Sequence, residues 1–92
     1  MYPVIIEVQN IGPPGEIGPG DMILKTELPF APVAGMYIGQ DWFVLVTKVS
    51  YSWSSVRPGT FFVTAVWPPE TEERYNPYEC LLAEGYEYDF TG

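Results

Sequence analysis

Proline and glycine interrupt this chain so often that it has room for short strands and little else. Eight of its ten prolines and five of its nine glycines cluster in Asn10–Gly20, at Pro29 and Pro32, at Pro58-Gly59 and at Pro68-Pro69. Proline locks φ and has no N–H to donate, and glycine leaves the backbone unrestrained, so each cluster ends a segment. The intervals between clusters favour β structure. Tyr2–Val8 is β-branched and apolar with Glu7 as its only charge, which reads as a strand, and Pro3 suits an edge or a strand opening. Met22–Leu28 alternates apolar with charged residues, the pattern of a half-buried antiparallel strand. Met36–Ile38 is a short strand candidate.

Trp42–Trp53 is the longest candidate and the expected centre of the sheet. Strict alternation there places Trp42, Val44, Val46, Lys48 and Ser50 on one face and Phe43, Leu45, Thr47, Val49, Tyr51 and Trp53 on the other. Ser54–Gly59 reads as a loop and Thr60–Trp67 as a further strand. The Asn10–Gly20 run has four Gly and three Pro. Its Gly-every-third spacing is too short to support a collagen triple helix, so it reads as a PPII-like loop.

The helix signal is short and well formed. Asn76 is placed to cap it, Pro77 to open it and Glu79 to close an Asn version of the capping box. Tyr75 and Cys80 occupy the staple positions, Cys80, Leu81 and Leu82 supply the expected buried face, and Gly85 marks the end. Tyr86–Phe90 alternates aromatic with acid and suggests a last strand or an extended arm. The expectation is a single small domain over residues 1–92, mainly β. It would be an antiparallel sheet or SH3-like barrel of about five strands with one short C-terminal helix. A two-layer α+β arrangement is the alternative.

A hydrophobic fraction of 47% and an aromatic fraction of 16% are too rich for disorder, despite a formal net charge of −8. The charge is unevenly placed. Met1–Pro69 carries five acids against three bases, a net of −2, whereas residues 70–92 carry seven acids against Arg74, a net of −6. Lys25, Lys48, Arg57 and Arg74 form no patch, so direct nucleic-acid binding is not expected. No stretch approaches the ~20 apolar residues of a membrane helix, and the N-terminus has no signal-peptide pattern. A cytoplasmic protein is expected, in a host cell if the chain is phage-encoded.

With 0 His and 1 Cys, histidine-based catalysis and the usual zinc ligand sets are excluded within one chain, as is an internal disulfide. Cys80, at a core position of the helix, reads as a buried structural thiol. No Asp-rich calcium loop or phosphate-binding glycine motif is present. Neither catalysis nor a cofactor or metal is therefore expected.

What remains is a binding protein. The leading expectation is a macromolecular partner, basic or nucleic-acid-binding, docking on an acidic aromatic surface. That surface comprises Glu70, Glu72, Glu73, Tyr75, Tyr78, Tyr86, Glu87, Tyr88 and Asp89, with Trp53 from the long strand. Tyr and Trp suit interfaces because an apolar ring carries a polar handle. The competing view packs the tail tyrosines back across the sheet with hydroxyls outward. Small phage or mobile-element inhibitors that mimic nucleic acid share this size and charge. The alternatives are a homo-oligomeric structural subunit of a virion or filament, and a small-ligand binder with a pocket at an oligomer interface.

Overall fold

The computed structural model describes residues 1–9, 11, 20–54, 57–71 and 74–89. The expected loop at Asn10–Gly20 therefore lies, apart from Ile11 and Gly20, outside the described residues. The elements are β1 (Tyr2–Gln9), β2 (Asp21–Leu28), β3 (Tyr37–Ile38), β4 (Val44–Ser54), β5 (Arg57–Val66), α1 (Pro77–Glu84) and β6 (Glu87–Asp89). The strands form one curled six-stranded sheet in the order β3-β4-β5-β1-β2-β6, a half-barrel. The molecule is mainly β with one short helix, as the punctuation implies.

The sheet is mixed rather than antiparallel. β1 pairs antiparallel with β2 but parallel with β5, from Val4 opposite Phe61 to Val8 opposite Ala65. The strand count is six, and β5 and β1 form the centre while β4 lies one strand from an edge. Pro3 is tolerated in a central strand because the parallel ladder begins one residue later, at Val4. β3 and β6 are the two edges and do not pair with one another, so the sheet is curled and not closed as an SH3-like barrel would be.

The inner face follows the alternation of β1. Val4, Ile6 and Val8 are buried with Met22, Val63, Ala65, Val44, Val46 and Ile38, and Leu81 and Tyr86 complete the cluster from the C-terminal segment. Each large side chain moved out of water here contributes roughly 1.5–3 kcal/mol. β4 departs from strict alternation at a bulge. Val46 lies opposite Ala65 and Lys48 opposite Thr64, which leaves Thr47 as the extra residue. The slip flips the strand's phase, so Val49 and Tyr51 join Val44 and Val46 on the inner side, opposite Val63 and Phe61. Lys48 and Ser50 stay outside. The Thr47 hydroxyl donates to the Thr64 carbonyl at 3.1 Å and ties the bulge down.

A second irregularity extends β5 through the segment expected to be a loop. Ser52 pairs with Thr60 and Ser54 with Arg57. The shift accommodates Pro58 and Gly59 inside the strand, where proline cannot donate to a regular ladder.

The helix forms as its signals indicate. Asn76 has extended backbone angles and its Oδ1 accepts from Tyr78 N at 3.0 Å. The cap therefore reaches the second helical residue rather than Glu79. Gly85 lies in the left-handed region, φ 103°. Gly85 N donates to Leu82 O and Tyr86 N to Leu81 O, the paired bonds of a Schellman end. Cys80 and Leu81 are buried, but Leu82 is exposed, because α1 turns only one narrow stripe toward the sheet.

Candidate functional site

The C-terminal segment is spent largely on packing. Tyr86, the residue after the helix-ending glycine, is in the core at 5% exposure, and burial with help from Glu84 pushes its hydroxyl pKa well up. Tyr78 and Tyr88 are half-buried and meet edge to face at 5.7 Å. The Tyr88 ring covers Gly20, where a side chain would collide with it. Tyr75 sets its edge against Trp42 at 4.7 Å, and Trp42 leans on Trp67 at 6.1 Å. Arg74 donates to the Tyr75 hydroxyl at 2.8 Å. These rings seal the helix-covered end of the half-barrel.

Two carboxylates at the same end are engaged as well. Glu84, the last helical residue, accepts from the backbone N–H groups of Gln40 (3.1 Å), Asp41 (2.8 Å) and Trp42 (3.2 Å). An acid at a helix C-terminus faces the wrong end of the helix dipole. The three donors of the β3–β4 turn offset that cost by charge-assisted hydrogen bonds. Glu70 accepts from the Tyr37 hydroxyl at 2.5 Å, a bond that holds its carboxyl below the usual value and raises the tyrosine. Glu79 and Glu87 are exposed. Glu72, Glu73 and the side chains of Trp53 and Asp89 lie outside the described residues; Asp89 is placed by its backbone opposite Asp21.

The structure therefore gathers Glu70, Tyr75, Tyr78, Tyr86, Glu87 and Tyr88 at one end, with Tyr86 buried and Tyr75, Tyr78 and Tyr88 half-buried. The exposed rings are others. Tyr37 and Phe43 are each 48% exposed near the acids, Phe43 on the face opposite buried Val44 and Val46. At the opposite end Tyr2 is 44% and Tyr51 56% exposed, with half-buried Phe61 between them at 5.9 and 4.7 Å. Tyr51 lies over Gly59, which has no side chain to obstruct it. Strict alternation hid this cluster, because only the bulge at Thr47 aligns Tyr51 with Phe61.

At this open end the sheet also loses its flanking strands. β3 pairs with β4 only at Val44 and Leu45, and the bonds of Gly35 and Met36 end at Val46. β6 pairs with β2 only from Asp21 to Ile23. Among the described residues, β4 from Thr47 onward and β2 from Leu24 onward have no strand on their outer side. Such edges are templates for added strands.

Between the two ends a cavity of about 390 Å³ opens on the inner face. Ile6, Leu24, Leu28 and Ile38 supply its apolar wall, and Glu84 and Tyr86 reach it from the helix end. Among the described residues no cluster of three or more His, Cys, Asp or Glu side chains is placed to hold a metal. Cys80 is buried, and burial with the neighbouring Glu79 pushes its thiol pKa up, the opposite of an activated nucleophile. No helix of the described residues is long and apolar enough to cross a membrane. Compared with family models, curated proteins and solved structures, the chain matches none of them.

Proposed function

We propose that this protein is a non-enzymatic, self-associating module, and that the open end of its half-barrel is where a second copy docks. The observation that carries this reading is the coincidence, at one end, of an uncovered aromatic cluster and two strand edges without a neighbour among the described residues. Exposed apolar surface next to a free edge is the setting for strand addition. Charge favours a second copy there. Two chains of net charge −8 repel at their acidic helix ends. The free strand stretches, by contrast, carry both signs of charge, Lys25 and Glu27 on β2 and Lys48 on β4. The bulge and Lys48, both devices that blunt an edge, stand at the start of the free stretch of β4 and leave Val49–Ser54 open. An isologous pairing of these edges would close under a twofold axis.

Sedimentation over a range of concentrations tests this. A dimer should form on raising concentration and be strengthened by salt, since screening weakens the repulsion between like-charged chains. Tyr51→Lys should abolish it. A monomer at every concentration, or a dimer that Tyr51→Lys leaves intact, would overturn the proposal.

A second reading is favoured by the segregation of charge. Glu70, Glu79 and Glu87 lie at the helix end beside exposed Tyr37 and Phe43, a surface that suits a basic protein. A nucleic-acid-binding target of an inhibitor that mimics nucleic acid would be one such partner. This interaction has the opposite salt dependence, weakening as salt rises, and neutralising Glu70 and Glu87 should reduce it while leaving self-association unchanged.

A further inference from the structure

We propose that the inner-face cavity binds a small cationic amphiphile, a primary amine carried on an apolar body. Its volume of about 390 Å³ falls within the range of small-molecule sites, about 300–1,000 Å³. Ile6, Leu24, Leu28 and Ile38 form a wall that would take up an alkyl or aryl group. The polar groups are fewer and better placed than a packing role requires. Tyr86 lines the cavity, is more than nine-tenths buried, and its hydroxyl has no hydrogen-bond partner among the described residues. No enclosed side-chain oxygen among the described residues lacks a partner, so this hydroxyl reaches water at the cavity and can exchange that water for a ligand head.

Glu84 specifies the charge of that head. Its carboxylate is held in place by three backbone N–H groups, two on Oε1 and one on Oε2. A carboxylate offers about four acceptor positions, so Oε2 retains one that can face the cavity. The donors already position the carboxylate, and ordering it on binding costs little. Glu27 also lines the cavity, so two carboxylates stand against the single α-amino group of Met1 among its described lining residues, a balance that favours a cationic head. An ammonium group would donate to Glu84 Oε2 and to the Tyr86 oxygen while its apolar body covers the aliphatic wall. The site lies inside the half-barrel, between the helix and β2, and because Leu24 and Leu28 belong to the stretch of β2 with an open edge, binding is measured on the dilute protein.

Titration of the isotope-labelled protein with n-octylamine, n-octanol and n-octanoate, followed by amide chemical shifts, tests the proposal. The amine should give saturable shifts around Leu24, Ile38 and Gly85, with an affinity about tenfold above the alcohol and further above the carboxylate. Tyr86→Phe should weaken amine binding about three- to tenfold, the effect of losing one hydrogen bond. Glu84→Gln should weaken the amine and leave the alcohol unchanged, whereas a merely structural disturbance would weaken both equally. Leu28→Trp, at a half-buried position that lines the cavity, should fill it and abolish all binding. No saturable shift with any compound, equal affinity for the three heads, or amine binding that survives Leu28→Trp would each overturn it.

Discussion

The two ends of this sheet carry similar aromatic clusters, but the helix end covers the tyrosines of its C-terminal segment while leaving Tyr37 and Phe43 exposed. At the helix end Tyr86 is buried, Tyr78 and Tyr88 pack on one another, and Tyr75 lies against Trp42. At the other end Tyr2 and Tyr51 flank Phe61 with their outer surfaces bare. The difference lies in whether an element is left to fold back over each cluster. The helix end has α1 and β6, anchored by Asn76, the Schellman turn at Gly85 and the Glu84 carboxylate. The open end is made from the first residues of β1 and the tip of the β4–β5 hairpin, and no described element returns to cover them. A tyrosine's role is thus set by the presence of a covering element, and local composition is a poor guide to it.

Truncation at each end puts this contrast under the greatest strain. Leu81→Ala removes a side chain that is fully buried under the helix and should cost about 2–5 kcal/mol, read from urea unfolding. Tyr51→Ala, measured under dilute conditions, should cost less than about 1 kcal/mol, because more than half of its surface is already in water. Comparable losses would mean that the open end is covered after all.

Next in size is the turn that allows the helix to be covered by its own continuation. Gly85→Ala should destabilise by about 1–2 kcal/mol through left-handed backbone strain. The position has room, since the nearest side-chain atom to an added Cβ is Leu24 Cδ1 at 3.6 Å. Asn76→Ala should cost about 1 kcal/mol at the other end of the helix. An equivalent loss from Ser52→Ala, at an exposed position of the open end, would show that stability is not concentrated at the covered end.

A pH scan separates the ends without changing fold. The buried Tyr86 hydroxyl is held protonated above the ordinary tyrosine value of 10.0. In the unfolded chain it ionises near that value, so the unfolded state binds fewer protons there and stability falls as pH rises past it. The contribution is fully present below that value. Thermal unfolding should show a steep alkaline loss that Tyr86→Phe reduces, and an alkaline loss that this substitution leaves unchanged would contradict the burial of Tyr86 at the covered end.

The smallest effect concerns the surface pair near β3. Tyr37→Phe removes the hydroxyl that holds the Glu70 carboxyl down, and the Glu70 titration followed by NMR should move up toward the ordinary carboxylate range. Stability should hardly change, because both groups are solvated. An unmoved titration would detach Glu70 from Tyr37.

Much of the fold is legible in the chain because the signals are local. Residues 2–8, 22–28 and 77–84 carry their own periodicity or caps, and β1, β2 and α1 occur there. The helix ends at Gly85 because a left-handed position is needed in the next residue, which is readable from the sequence. The bulge at Thr47 is not. Thr47 and Lys48 resemble any alternating pair, and the slip exists only because Val46 and Val49 must both face the buried side of β5. The parallel pairing of β1 with β5 has no local marker either, since it joins residues separated by β2, β3 and β4.

The candidate site divides the same way. The acidic C-terminal charge and its tyrosines are read directly from residues, but their division into core, packing contact and exposed edge is not. Tyr86 and Tyr88 stand two apart in one acidic run. Pairing with Met22 on β2 places Tyr88 over Gly20, while the Schellman turn drives Tyr86 into the core.

By itself the sequence determined that this protein is built of short strands with one capped helix, that its charge is concentrated toward the C-terminus, and that histidine-based chemistry is excluded. These rest on properties each residue carries wherever it sits: φ restriction, missing donors, charge and ionisable groups. Only the tertiary structure decided which aromatic rings are covered, which strand edges are left open and where the cavity forms. Those outcomes depend on a bulge register, a parallel strand pair and the length of chain available to fold back. Each is a balance between distant segments rather than a property of any one of them.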